Sequence, residues 1–179
     1  MKYPYKKLVL PTALKSQING KLEAGTLAKI AIGGHMWTGA ARAFNAMNKK
    51  AVADGIKLIN IGDYRSYQGQ LSMFKDRYAL EDGGRVPQIT RTFNGKTWYL
   101  KKGKSPSAAP DPTGKKGSNH GWGLAIDLNV TDKKVAEWLC ANAPTYGFYL
   151  QGDDPKSGEF ELWHWQYVLG DVVPKVLEA

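Results

Sequence analysis

The chain has 179 residues, 42% of them apolar, with a formal charge of +9 and a pI near 9.5. That length supports one sizeable core, so a single domain over residues 1–179 is expected, and no apolar run is long enough to span a membrane. A lone cysteine, Cys140, excludes an internal disulfide, and the lysines are scattered without the aromatic interleaving of a nucleic-acid groove.

From the N-terminus, Met1-Lys2-Tyr3-Pro4 leads into only a few apolar residues before Pro11, too short for a signal-peptide core. Synthesis in the cytoplasm without a signal is therefore expected. The first fifty residues carry no readable site, and His35, in Gly33-Gly34-His35, reads as a surface-loop histidine. Residues 38–53 space Ala40, Phe44, Met47 and Ala51 as one face of a helix, which Gly55 stops. Residues 57–63 read as an apolar strand that delivers Tyr64-Arg65-Ser66 to a strand-to-helix junction. Ser66 is a candidate N-cap for a second helix carrying Leu71, Phe74 and Tyr78, expected to end at Asp82-Gly83-Gly84. Taken alone, Arg65 would be a surface arginine beside some carboxylate.

Residues 88–101 read as a hairpin around Asn94-Gly95, and residues 102–117, rich in Gly, Pro, Ser and Lys, as a mobile loop that is either simply solvated or lines or closes over a substrate cleft. Leu124 opens a buried strand running to Val130, with Asp127 among its apolar neighbours. Thr131 would cap a third long helix with Val135, Trp138, Leu139 and Asn142 on one side, in which Cys140 is a structural thiol. Residues 160–168 read as a final strand.

Two short motifs stand out in this order. Ser118-Asn119-His120-Gly121-Trp122-Gly123-Leu124-Ala125-Ile126-Asp127 and Glu161-Leu162-Trp163-His164 hold two of the three histidines. Together they offer two imidazoles, a ligand carboxylate and a spare carboxylate, the inventory of a catalytic zinc site with one open position and a nearby general base. An isolated Asp127 would be a hydrogen-bonded buried carboxylate, but burying one without a partner is costly, and a divalent metal is a good partner. One difficulty is geometric. Residues three apart on a flat strand point to opposite faces, so Glu161 and His164 share a metal only if the strand bulges, bends or begins after Glu161.

Ser118, His120, Gly123, Ala125 and Asp127 resemble the Ser-x-His-x-x-Gly-x-Ala-x-Asp motif of VanY-type D-alanyl-D-alanine carboxypeptidases and related phage L-alanyl-D-glutamate peptidases. Glu161, Trp163 and His164 resemble that family's Glu-x-Trp-His, and Tyr64-Arg65-Ser66 its Tyr-Arg-Ser. The resemblance covers about residues 56–168. It implies an α+β fold in which a small, mainly antiparallel sheet carries the zinc site and packs with helices, as in the hedgehog and D-Ala-D-Ala peptidase folds. It implies one zinc ion on His120, Asp127 and His164, with Glu161 relaying protons and Arg65 stabilising the oxyanion. Ser118 and Tyr64 would contact substrate, although a serine in a turn often only binds its own backbone. Trp163 would pack as structure, and Trp122 and Trp165 would be core or cleft wall.

The function so implied is hydrolysis of an amide bond in the peptidoglycan stem peptide, at D-alanine in preference to the L-alanyl-D-glutamate bond. The expected partner is bacterial peptidoglycan, with no nucleic acid and no membrane insertion, and the protein is expected to be a monomer. The positive charge would serve attraction to anionic wall polymers or simple solubility equally well. A wall hydrolase made without a signal fits a phage endolysin, released when another protein opens the membrane. The competing reading is a non-catalytic zinc module that binds the wall or a protein, though such a module has no use for Glu161 and Arg65. A third is a zinc amidase or nonspecific peptidase with the same site.

Overall fold

The computed structural model describes residues 2–151 and 161–178. A short helix, α1 (Thr12–Lys15), precedes an antiparallel pair, β1 (Leu27–Lys29) and β2 (His35–Trp37). Helix α2 (Thr38–Ala53) then buries Ala40, Ala41, Ala43, Phe44, Met47 and Ala51, the stripe expected from its 3.6-residue spacing. β3 (Asn60–Gly62) runs into α3 (Tyr67–Arg77), capped by Ser66, whose hydroxyl accepts from Gly69 N at 3.1 Å.

Helix α3 stops earlier than expected. Tyr78 turns extended and, with Ala79, forms β4 (Tyr78–Ala79), paired to Leu100 and Tyr99. Its ring still stacks on Phe74 at 4.7 Å, so the apolar spacing that suggested more helix is satisfied by a strand. β5 (Thr90–Phe93) and β6 (Lys96–Leu100) form the expected hairpin, with Asn94 at φ 50° and Gly95 at φ 70° in the turn. This three-stranded sheet and α3 enclose a small core of Phe74, Tyr78, Phe93 and Leu100.

β7 (Ala125–Leu128) is followed by α4 (Lys133–Asn142), capped by Asp132 rather than by the expected Thr131. Asp132 Oδ1 accepts from Lys134 N at 2.9 Å, while the Thr131 hydroxyl donates to Asn129 Oδ1 at 2.8 Å and is occupied there. The half-buried Cys140 packs on the core, and burial raises its thiol pKa, as suits a structural thiol. β8 (Phe148–Leu150) and β9 (His164–Tyr167) complete a four-stranded antiparallel sheet ordered β3-β7-β9-β8. The last strand is thus shorter than the expected 160–168, and residue 160 lies outside the described residues.

This is an α+β fold whose main core joins α2 and α4 to the four-stranded sheet through Phe44, Leu139, Ile126, Phe148 and Trp165. Phe44 meets Phe148 edge-on at 5.9 Å. The first residues, unreadable from sequence, bridge to the sheet at Tyr5–Leu150 and Val9–Leu169. Among the described residues, no helix is long and apolar enough to cross a membrane.

Candidate metal centre and cleft

The two central strands bring the motifs together. β7 pairs with β9 so that Asp127 stands opposite His164, and opposite residues in an antiparallel pair share a face. On its other side Asp127 faces Gly62, where the β3–β7 register slips by one residue between Asn60 and Gly62. Gly62 is there for room: a Cβ would sit 2.8 Å from Asp127 Oδ2. His120 arrives from a one-turn 3-10 helix, Asn119–Trp122, whose Gly123 takes φ 65° and whose hypothetical Cβ would meet Trp37 N at 2.6 Å. The strand-face difficulty at Glu161 is met by a turn. Leu162 and Trp163 form it, His164 N donates to Glu161 O at 2.9 Å, and His164 is the first strand residue.

The donor atoms of His120, Asp127 and His164 all lie within 4.8 Å of one another. His120 Nδ1 is 2.8 Å from the Asp63 carbonyl, which can only accept, so this nitrogen carries the proton and Nε2 carries a lone pair. That lone pair faces Asp127 Oδ2 at 3.3 Å, and two acceptors so placed need a cation between them. Protonating His120 is the weaker remedy, because burial lowers its pKa despite the opposing pull of Asp127. Asp127 Oδ1 lies 2.9 Å from His164 Nδ1, and His164 Nε2 is buried with no hydrogen-bond partner. Burial alone would raise the Asp127 pKa, yet the hydrogen bonds and charges of both imidazoles hold it well below the usual carboxylate range. Two imidazoles around an ionised carboxylate, with a buried ring nitrogen that has no hydrogen-bond partner among the described residues, fit a divalent metal.

Around this triad opens a cleft of about 570 Å³, roomy enough for a peptide segment. Glu161 and Arg65 both line it. Arg65 is fixed at two points: its backbone N–H donates to His120 O at 3.1 Å, and its guanidinium Nη1 donates to Gln70 Oε1 at 3.0 Å. Burial lowers its pKa and Asp127 opposes that, with smaller opposing contributions from Asp63 and Glu161. Ser118 also lines the cleft, and its hydroxyl accepts from His120 N at 3.3 Å, the local turn bond that its type favours. Tyr64 does not line it; its half-buried hydroxyl meets the Leu22 backbone.

Two expectations need correction, and the N-terminal region, left open by the sequence, gains a role. Trp163 is 41% exposed and lines the cleft instead of packing beneath it, whereas Trp122 and Trp165 are core. The segment expected to be a mobile loop is tied down where it borders the cleft: Gln70 Nε2 donates to Ala108 O at 2.7 Å, Arg77 Nη1 to Pro106 O at 3.0 Å, and Ser107 N to the Tyr78 hydroxyl at 3.2 Å. The N-terminal segment builds the site from behind, since Asn19 Nδ2 donates to Ser118 O at 2.9 Å and Gly20 N to Gly121 O at 2.8 Å. Gln70, 5% exposed, was missed; a glutamine on the apolar side of a helix, level with Phe74 and one turn after Arg65, was the available signal. His35 is exposed at the start of β2 and is not one of the clustered donors.

A family model described as VanY, D-alanyl-D-alanine carboxypeptidase, matches residues 34–170, and the chain belongs to that family. Its fold is similar to that of the LdcB LD-carboxypeptidase, whose structure reveals the molecular basis of peptidoglycan recognition: the TM-score is 0.58 at 24% identity, over 89% of this chain and 73% of that one. It is also similar to VanYB in complex with D-alanine-D-alanine (TM-score 0.55, 20% identity, 90% and 84% covered). A zinc complex of a variant of the VanY D,D-pentapeptidase from a VanB-type vancomycin resistance cassette gives TM-score 0.54 at 19% identity, with 88% of each chain covered. Comparison with curated protein sequences gives no match.

Proposed function

We propose that this protein is a zinc-dependent peptidase that hydrolyses an amide bond of the peptidoglycan stem peptide at D-alanine, as a D,D-carboxypeptidase or endopeptidase. The observation that carries the reading is the His120–Asp127–His164 cluster, with donors within 4.8 Å, lining a peptide-sized cleft that Glu161 and Arg65 line too. The zinc complex and the D-alanine-D-alanine complex of structural relatives support the choice of metal and substrate. His120, Asp127 and His164 would hold the ion, which when bound supplies a Lewis acid that polarises the scissile carbonyl and acidifies water. Glu161 takes the proton of the attacking water on its carboxylate and delivers it to the leaving amine nitrogen. Arg65, its backbone anchored on His120 O and its guanidinium held by Gln70, meets the negative charge that grows on the carbonyl oxygen, and its preset position spares reorganisation during the reaction. Ser118 would offer its hydroxyl to the substrate from the cleft wall. Exposed Trp163, which lines the same cleft, gives an apolar surface for a small side chain such as the methyl of alanine.

A second reading, cleavage between L-alanine and D-glutamate in a phage endolysin, uses the same chemistry on another bond, and the basic surface suits either. In both, the protein acts on the cell wall and would reach it after phage-mediated release. The test is incubation of a synthetic stem pentapeptide with the zinc-loaded protein and with Asp127→Asn. Release of D-alanine by the first and not by the second is expected. Release of L-alanine alone would favour the second reading, and an intact peptide with fully loaded protein would contradict both.

A further inference from the structure

The turn between β1 and β2 lies against the segment that leads to Arg65. Asn60 Nδ2 donates to Gly33 O at 2.8 Å, and Asp63 Oδ2 accepts from His35 N at 2.6 Å. Gly34 leaves the space in which that carboxylate sits. It takes φ 98°, and a Cβ there would lie 1.6 Å from Asp63 Oδ2 and 2.7 Å from Asn60 Nδ2. The next residue is tied to the same turn, since Tyr64 N donates to His35 O at 3.1 Å. The exposed His35 therefore holds Asp63 and Tyr64 with its two backbone groups.

The backbone of Asp63 meets the metal cluster. Its carbonyl oxygen is 2.8 Å from His120 Nδ1, and Arg65 N, two residues on, donates to His120 O at 3.1 Å. A neutral imidazole carries one N–H, and among the described residues two acceptors are placed to take it: Asp63 O at Nδ1, and Asp127 Oδ2 at 3.3 Å from Nε2. With the proton on Nδ1, Nε2 offers its lone pair to a metal. With the proton on Nε2, His120 and Asp127 satisfy each other and are both withdrawn from it. A carboxylate is the stronger acceptor, so the carbonyl prevails only by being held close.

We infer that Asp63 is a positioning residue of the metal centre: its side chain, seated on His35 N in the gap left by Gly34, fixes its carbonyl so that His120 keeps its proton on Nδ1 and its Nε2 lone pair for the ion. This rests on the zinc reading of the His120–Asp127–His164 cluster. The β1–β2 turn thereby acts on metal affinity without supplying a ligand, as outer partners of a ligating histidine do.

Long-range proton–nitrogen NMR of the metal-free full chain at neutral pH reports the His120 tautomer, and zinc titration against a competing chelator reports affinity. The parent should show His120 protonated on Nδ1. Asp63→Ala should bind zinc about ten- to a hundredfold more weakly and shift His120 toward the Nε2–H form. Gly34→Ala, which keeps Asp63 and every ligand but fills the gap, should do the same. Asp63→Asn retains an oxygen for His35 N and should match the parent in both measurements. An Nε2–H His120 in the parent, parental affinity in Asp63→Ala, or an Asp63→Asn variant as weak as Asp63→Ala would overturn the role of Asp63, and zinc binding by the parent would leave the metal reading standing. The expected tautomer changes in a protein that binds no zinc would sustain the hold of Asp63 on His120 and overturn the metal reading.

Discussion

Glu161 and Gln70 separate chemistry from architecture at the scale of single residues. Glu161 lies outside the donor cluster, so Glu161→Gln should bind zinc like the parent while turnover falls by about a hundredfold or more. Metal content by atomic absorption, set beside initial rates, checks this, and near-parental turnover would remove Glu161 from its role. Gln70 is a positioning residue that holds Arg65 Nη1 on one side and Ala108 O on the other. Gln70→Leu should therefore lower kcat more than it raises KM, because an oxyanion-stabilising group acts in the transition state. A pure KM effect would assign Gln70 to the cleft wall instead. Of these residues, the members of the two motifs were legible because their types and spacing are unusual, and Arg65 only through the resemblance of Tyr64-Arg65-Ser66 to the family's Tyr-Arg-Ser. Gln70 was not, since a glutamine in a helix is ordinary until tertiary contacts give it partners.

Local irregularities make the site possible at the scale of elements. The slip in β3 gives Asp127 its space, and Gly62 opposite it cannot carry a side chain without pressing on Oδ2. Gly62→Ala should lower zinc affinity about ten- to a hundredfold, the usual cost of disturbing a ligand's support, with little change in secondary structure. Equilibrium dialysis and circular dichroism report the two effects separately; unchanged affinity would show that Asp127 can shift without cost. The elements themselves were readable wherever periodicity was long, as in α2, or turn chemistry specific, as at Asn94-Gly95. They were misread where strand pairing overrode local pattern. Tyr78 left the helix to pair with Leu100, whereas the irregularity expected at Glu161 is present, His164 beginning the strand one turn after it. The register slip had no sequence signal beyond a glycine in an apolar run.

The two ends of the chain close on each other at the scale of the whole molecule. Thr12 donates from its N–H to Asp171 Oδ1 at 3.0 Å and from its hydroxyl to Oδ2 at 2.6 Å, beside the Val9–Leu169 bridge. The hydroxyl bond first, and then the backbone bond, hold the Asp171 pKa below the ordinary aspartate range. A carboxylate with a depressed folded-state pKa stabilises above its unfolded value of about 3.9 and loses that contribution as pH falls through the folded one. Asp171→Asn should accordingly melt earlier than the parent at neutral pH, with the gap closing in acid; a gap that persists at low pH would show that the clamp works by packing. The same N-terminal region supplies Asn19 and Gly20 behind the metal motif, a role hidden from the sequence because it consists of hydrogen bonds to backbone carbonyls of residues about a hundred apart.

The central claim is a metal-dependent peptidase acting on the bacterial wall. Its most direct test is mass spectrometry of purified peptidoglycan fragments after incubation with zinc-loaded protein, with and without a chelator. Loss of D-alanine that the chelator abolishes is the predicted result; no cleavage by a folded, zinc-loaded sample, or cleavage indifferent to the chelator, would contradict it.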